Sequence, residues 1–454
     1  MKKVLIWSLI SAFGGFLFGL DTAVISGAEQ SIQRLWELSA VQHGFTVSIA
    51  LIGTVVGAML GGFPSDRLGR RKTLFWIAVL FLVSSVGSAL AIDWYAFLIF
   101  RFIGGLGVGC SSVTAPMYIS EISPASHRGR LVALFQFNVV AGILIAFVSN
   151  YLLQEVDANA WRWMLGVQAF PSAIFLVAVL FIPESPRWLI FRKGAVDEAK
   201  AILQGINLPE VTQELQALQR EREMAPNQNT GRLFSVKYAF PITLAVLIAF
   251  FNQVSGINAI IYYAPRIFEM TGMGADAAFL STAGTGLVNF IFTFIAIRVI
   301  DKIGRRKLML IGSIGLIVTL AVVTRAFYFA DFGQFIVPLS LFLYIAFFAF
   351  SQGAVIWVFI AEIFPDKVRA QGQALGSFVH WFMAAVIAFS FPYITERLGG
   401  GNTFLIFTAM MVLQLLFVIR LMPETKGKKL GQEIELNKDE KDEEPQLVAG
   451  GSRK

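Results

Sequence analysis

Charge is scarce in this 454-residue chain. Only 15% of its residues are Asp, Glu, Lys or Arg, against about 25% in a typical soluble protein. Histidine is scarcer still, with three, and there is one cysteine, Cys110. A single thiol excludes any intrachain disulfide and with it an oxidised extracellular scaffold. Three His in separate regions and one Cys offer no metal cluster and no nucleophile–base set, so neither an enzyme nor a cofactor is expected. What fills the space is apolar: 56% of residues are hydrophobic, 43 of them Phe, and the mean hydropathy is +0.67. That excess points to lipid as the main solvent. The net charge of +7 comes from basic residues in short runs between apolar stretches. Such runs fit anionic headgroups better than nucleic acid.

A membrane helix needs about 20 apolar residues. Twelve such runs lie near 5–27, 44–63, 73–92, 95–118, 131–153, 163–182, 238–263, 277–299, 308–329, 336–361, 370–394 and 403–422. They are continuous, which excludes the alternating pattern of a membrane barrel. The first is too long for a cleaved signal and contains Asp21. The expected fold is therefore all-α, with twelve transmembrane helices. Placing the N-terminus and every second loop on one side collects 31 of the 37 Lys and Arg there. The opposite side holds Arg34, Arg162, Arg266, Arg325 and Arg397, and Arg101 lies inside the fourth run. The bias puts both termini in the cytoplasm, as expected of a multi-pass cell-membrane protein. Between the sixth and seventh runs, 183–237 reads as a cytoplasmic linker with short helices over Glu210–Glu223, Pro209 suiting a helix start. The charged tail from Leu430 is expected to be disordered.

The chain repeats itself. Asp66-Arg67-x-Gly69-Arg70-Arg71-Lys72 follows the second run, and Asp301-Lys302-x-Gly304-Arg305-Arg306-Lys307 the eighth, 235 residues on. Glu121-x-x-Pro124-x-x-x-Arg128 recurs as Glu362-x-x-Pro365-x-x-x-Arg369, 241 on, and Pro183-Glu184 as Pro423-Glu424, 240 on. Three motifs in register describe two parallel six-helix halves, 1–182 and 238–422, with the linker between them and a cytoplasmic tail over 423–454. Rocking transporters have this arrangement. The loop carboxylates Asp66, Glu121, Glu184, Asp301, Glu362 and Glu424 sit among Arg67, Arg71, Arg128, Arg187, Arg305, Arg306 and Arg369. A positive-inside bias explains the Arg clusters but not the matching acids. These residues are expected to form cytoplasmic ion pairs, a latch that closes when the outside is open.

Two ionised side chains lie well within the runs, Asp21 and Arg101. Each costs about 2.5–3.5 kcal/mol at a helix centre. The topology puts both about 10 Å below the outer surface, so they are expected to be partners. A structural ion pair would satisfy this; so would a proton switch in which separation from Arg101 lets burial protonate Asp21. His380 is the other titratable candidate, although a hydrogen-bonding role suits a lone membrane His better than proton carriage.

Uncharged amides recur in apolar helices: Gln136, Asn252, Gln253, Asn258 and Asn289, with Trp357 and Trp381. Amides donate and accept, as hydroxyl groups do, and Trp offers a flat face to a pyranose ring. The set argues for a neutral polyhydroxylated ligand, although such amides also serve as helix–helix glue. Gln253 and Asn258 lie about 140° apart on an ideal helix. They share a cavity only if Gly256 breaks the seventh helix.

At these residues the chain resembles the sugar porter family of the major facilitator superfamily, from Gly14 to Gly427. The likeness rests on Gly19-Leu20-Asp21-Thr22-Ala23-Val24-Ile25-Ser26-Gly27, the Asp66–Lys72 loop, Pro116-Met117-Tyr118-Ile119-Ser120-Glu121, Arg128-Gly129, Pro183-Glu184-Ser185-Pro186-Arg187-Trp188-Leu189, and Gln253-Val254-Ser255-Gly256-Ile257-Asn258 with Tyr262-Tyr263. It looks closest to bacterial proton-coupled pentose and hexose symporters. The resemblance implies that Gln136, Gln253, Asn258, Tyr262, Asn289 and Trp357 contact sugar and that Asp21 and Arg101 couple protons. Animal glucose facilitators of the family usually carry Asn at the position of Asp21. Two departures bear on the substrate's identity: Asn252 stands where relatives have Gln, and His380 where they have Gln or Asn before Trp381. The expected partners are a small neutral sugar, protons and the bilayer, with no nucleic acid, and the expected state is a monomer. The competing readings are a proton-independent facilitator, a transporter of another polyol such as inositol, and a transport-inactive receptor.

Overall fold

The computed structural model describes residues 2–124, 127–205, 211–224, 232–333, 335–365 and 367–427. Pro209, Glu210 and the tail from Leu430 lie outside the described residues. Regular structure among the described residues is all helical. Among the described residues, eleven helical stretches are long and apolar enough to cross a membrane. They account for all twelve expected runs, because the eleventh and twelfth share one stretch, Arg369–Arg420, kinked at Gly399 (φ 78°, ψ 163°).

The spans begin and end where local chemistry permits. Ser39 caps the second span, Ala40–Leu60, in a reciprocal box with Gln42. Asp93 caps the fourth, Trp94–Ile122, by accepting from the Ala96 N–H at 2.9 Å. Gly69 (φ 96°) and Gly304 (φ 97°) turn the chain into the third and ninth spans, Arg70–Leu90 and Arg305–Phe329. This left-handed backbone favours Gly. The first span corrects expectation: it runs Lys2–Leu35, well past the apolar run that ends at 27. Its extension carries Glu29, Gln30 and Gln33, whose polar groups find partners in the other half of the molecule. The linker holds short helices at Val196–Gly205 and Val211–Met224.

Within the first half, the first span packs on the fifth, Arg128–Leu153, and the second on the fourth. In the second half, Arg305–Phe329 packs on the tenth and on the Arg369–Arg420 stretch. The halves meet where the second span lies against the eleventh and the fifth against the eighth, Ala275–Ile303. The second–eleventh contact is close: a Cβ on Gly44 would collide with the Phe389 carbonyl oxygen.

Two spans of the second half are interrupted. The tenth breaks at Ser351, between Ile336–Phe350 and Gln352–Ile363. The seventh breaks at Gly256, between Ala239–Val254 and Ile257–Tyr262, which meets the condition for Gln253 and Asn258 to share a cavity. Gly256 has φ 88°, and a Cβ there would lie 2.6 Å from Phe407. Gly256→Ala is therefore expected to cost about 1–3 kcal/mol. A melting temperature in detergent unchanged from wild type would refute it.

Candidate functional site

The seventh-span break assembles a chain of amides. Gln253 Oε1 accepts from Asn258 Nδ2 at 2.5 Å. Gln253 Nε2 donates to Asn252 Oδ1 at 2.9 Å and lies 3.1 and 3.2 Å from the two ring nitrogens of His380. Asn252 Nδ2 donates to the Gln352 carbonyl at the tenth-span break. The rings of Trp357 and Trp381 lie 4.8 and 4.7 Å from that of His380. Trp381 also packs on Phe18 of the first span, at 5.4 Å. Thus Asn252, Gln253, Asn258, His380, Trp357 and Trp381 form one cluster. Gln136 and Asn289 are separate from it in hydrogen bonding. Both are half-buried on the fifth and eighth spans, beside Phe137 and Phe290, whose rings are 5.0 Å apart.

Asp21 and Arg101 are paired. Arg101 Nη1 donates to Asp21 Oδ1 at 3.0 Å and Nη2 to the Asp21 main-chain oxygen at 3.1 Å. Both residues are buried, at 1% and 2% exposure. Asp21 Oδ2 and Arg101 Nε have no partner, so the pair keeps an unused acceptor and an unused donor. The two line one small cleft with Thr22, Val47 and Tyr262. Tyr262 comes from the far side of the seventh-span break, so this cleft joins the amide-bearing element to the charge pair.

The basic ends of the spans carry two networks that repeat residue for residue. Arg70 donates from Nε and Nη2 to Glu121, both at 2.9 Å, and from Nη1 to the Ser65 carbonyl and to Asp66. Arg305 donates from Nε and Nη2 to Glu362 at 3.0 and 2.7 Å and from Nη1 to the Ile300 carbonyl, and it pairs with Asp301. Glu184 accepts from the main-chain N–H groups of Arg70 and Arg71; Glu424 accepts from those of Arg305 and Arg306. Arg71 reaches the Leu180 carbonyl, and Arg306 those of Val418 and Ile419. Each of these bonds joins elements of one half. Arg369 donates to the Ala361 and Phe364 carbonyls, Arg187 lies over Phe191, and Arg67 and Arg128 are exposed. The two matching glutamates titrate differently. Burial raises the Glu184 pKa against the N–H groups that lower it. Glu424 is less buried, so the N–H donors of Lys426, Arg305, Arg306 and Thr425 outweigh desolvation and lower its pKa.

Residue reasoning passed over Arg70, the repeat of Arg305, although the 235-residue offset marks it. It also missed Glu29, fully buried at the opposite end and bound to Arg266 and His43. Glu29 lies just beyond the first apolar run and so reads as a solvated helix end.

A family model described as "Sugar (and other) transporter" matches residues 7–435. The chain belongs to the sugar transporter family. It is 38% identical to the arabinose-proton symporter of Bacillus subtilis, over 96% of this chain and 95% of that one. The xylose transporter XylE from E. coli, solved in a partially occluded inward open conformation, has a TM-score of 0.84 at 34% identity, covering 95% of this chain and 100% of XylE. XylE solved with bound 6-bromo-6-deoxy-D-glucose, and described as a major facilitator superfamily proton:xylose symporter, gives 0.78 at 35% identity, covering 95% and 98%. The fold is thus the twelve-helix major facilitator fold of a multi-pass membrane protein.

The basic-end geometry separates Arg70 from its neighbours. Glu121 is 9% exposed at its side chain, and removing the partner of such a buried charge costs about 3–5 kcal/mol. Arg70→Leu should therefore destabilise strongly, whereas the exposed Arg67→Ala should stay within about 0.5 kcal/mol. Equal melting temperatures for the two variants would refute this.

Proposed function

We propose that the protein imports a monosaccharide, a pentose or hexose, together with a proton by alternating access across the cell membrane, with both termini cytoplasmic. The observation that carries the reading is the buried Asp21–Arg101 pair beside Tyr262. A carboxylate held by a guanidinium stays ionised; moved away from it in an apolar cleft, it takes a proton. Sugar drawing in the element that carries Tyr262 would alter the cleft, so binding and protonation would act on one equilibrium. The 31 basic residues on the terminal side support the orientation. The names of relatives, arabinose-proton symporter and D-xylose-proton symporter, support the substrate class.

The amide cluster supplies the sugar site. Asn252, Gln253 and Asn258 bond to one another and to His380, and incoming hydroxyls would replace these bonds one for one. Trp357 and Trp381 supply faces for the ring, and Gln136 and Asn289 bring unpaired amides. The basic-end networks hold the loops of each half in order. These bonds lie within each half, so they preset the two cytoplasmic surfaces that meet when that side closes and are not themselves a latch between the halves.

Asp21→Asn is expected to abolish accumulation against a gradient while keeping sugar counterflow in proteoliposomes. A protonmotive force of about 100 mV is worth roughly 2.3 kcal/mol per charge, or about 50-fold accumulation. Wild-type accumulation by the mutant would remove Asp21 from proton coupling. Trp357→Ala is expected to weaken sugar binding by about 2 kcal/mol, near 30-fold in Kd. A Kd within twofold of wild type in folded protein would exclude stacking on this ring.

A further inference from the structure

Glu29 is a buried carboxylate that neither the sugar site nor the Asp21–Arg101 pair uses. It is 1% exposed on the first span, two turns beyond Asp21 on the side away from the basic loops. Arg266, on the short helix Ala264–Glu269 of the second half, donates to it from Nε at 2.9 Å and from Nη2 at 2.7 Å. His43 of the second span brings Nε2 to 2.7 Å from the same carboxylate. Arg266 also donates to Gln33, and Gln30 donates to Glu269 at 2.9 Å. The Glu29–Arg266 bonds thus cross between the halves, in contrast to the basic-end networks, which stay within one. Just beneath, Gly44 lies against the Phe389 carbonyl and seals the second span to the eleventh.

We propose that Glu29 and Arg266 are positioning residues of the transport cycle: they lock the extracellular side closed, and this lock must break each time the protein opens outward. The inference rests on the alternating-access reading above. A contact that exists in only one of two states sets their equilibrium by its own strength. The bidentate geometry and the burial of Glu29 make the contact a strong one, because removing one partner strands the other charge. Arg266 is less buried than Glu29, with its side chain 28% exposed. Outward opening can hydrate it without moving Glu29 into lipid. The same short helix follows directly on Tyr262 and the Gly256 break. Release of Arg266 therefore frees the segment that closes over the cleft of Asp21.

The test is labelling of a single cysteine, Val47→Cys, in a Cys110→Ser background, by a membrane-impermeant maleimide added outside. Val47 lines the Asp21 cleft below the lock and is 2% exposed in this state. Glu29→Gln and Arg266→Gln should each raise the labelling rate about tenfold or more, and the double variant by much less than the product of the two, since both remove the Glu29–Arg266 contact. Labelling at the wild-type rate in folded single variants would overturn the proposal, as would additive effects in the double variant. If Glu29→Gln does not fold, Arg266→Lys decides. It keeps the charge, loses the bidentate fork, and should raise labelling severalfold; the wild-type rate would overturn the lock. Gln154→Ala, at the exposed crossing contact with Asp276, should leave labelling unchanged, and a rise equal to that of Glu29→Gln would overturn the assignment to Glu29. Labelling does not depend on the sugar or the proton. A protein that labels as expected but transports no sugar would sink the transport reading and leave the lock standing.

Discussion

A charge in hydrocarbon cannot borrow solvation from its surroundings, so its position is tolerated only where another helix supplies a partner. Among the described residues, the buried Asp, Glu, Lys and Arg are Asp21, Glu29, Arg70, Arg101 and Arg305. Every one of them is paired, and every pairing brings in a residue from a different helix. Lipid offers little driving force for helix association, since the tails are as apolar as Leu. These few pairs therefore do much to fix which helices touch and at which height.

The pairs divide by where they fall. At the basic ends, Arg70–Glu121 and Arg305–Glu362 tie the loops of one half to each other, and the Glu184 and Glu424 carboxylates seat on the first N–H groups of the third and ninth spans. Those helix starts carry unsatisfied donors, which a carboxylate meets well. Each half gains rigidity at that end from bonds that stay within it. At the opposite end, Glu29–Arg266 ties half to half. A molecule built this way can rock as two bodies: the bonds inside each body survive the motion, and Glu29–Arg266 is among the bonds between bodies that must be exchanged.

Much of this was legible in the sequence, for reasons that differ by feature. Twelve runs appear because hydrocarbon thickness fixes helix length. The repeat appears because three motifs keep one offset. Asp21 and Arg101 were matched by depth alone, since two opposite charges in an apolar run have few other ways to be satisfied. The sequence made the Gly256 break a condition, since Gln253 and Asn258 point apart on an ideal helix; that the condition is met only the fold shows. Glu29 was hidden because it lies two residues past the run, where a carboxylate costs nothing if water is near; only the fold shows that the second half covers it. The turn between the eleventh and twelfth helices sits at Gly399, in Gly399-Gly400-Gly401, where the backbone leaves the helical region (φ 78°, ψ 163°) and the twelfth helix starts with no further loop between.

The seventh-span break explains why one short segment serves so many contacts. A continuous helix would satisfy its own backbone and send Gln253 and Asn258 to different faces. At Gly256 the left-handed backbone ends one helix and starts another, and Tyr344 of the tenth span covers the freed Ser255 carbonyl at 3.0 Å. With the backbone satisfied from outside, the segment after the break can shift without exposing polar groups to lipid. That segment carries Asn258 of the amide cluster, Tyr262 of the Asp21 cleft and, directly after them, Arg266 of the half-to-half bond. Three contacts of different chemistry thus ride on about ten residues. A pull on Asn258 acts directly on Tyr262, which shares its short helix, and passes to Arg266 across the turn at Tyr263.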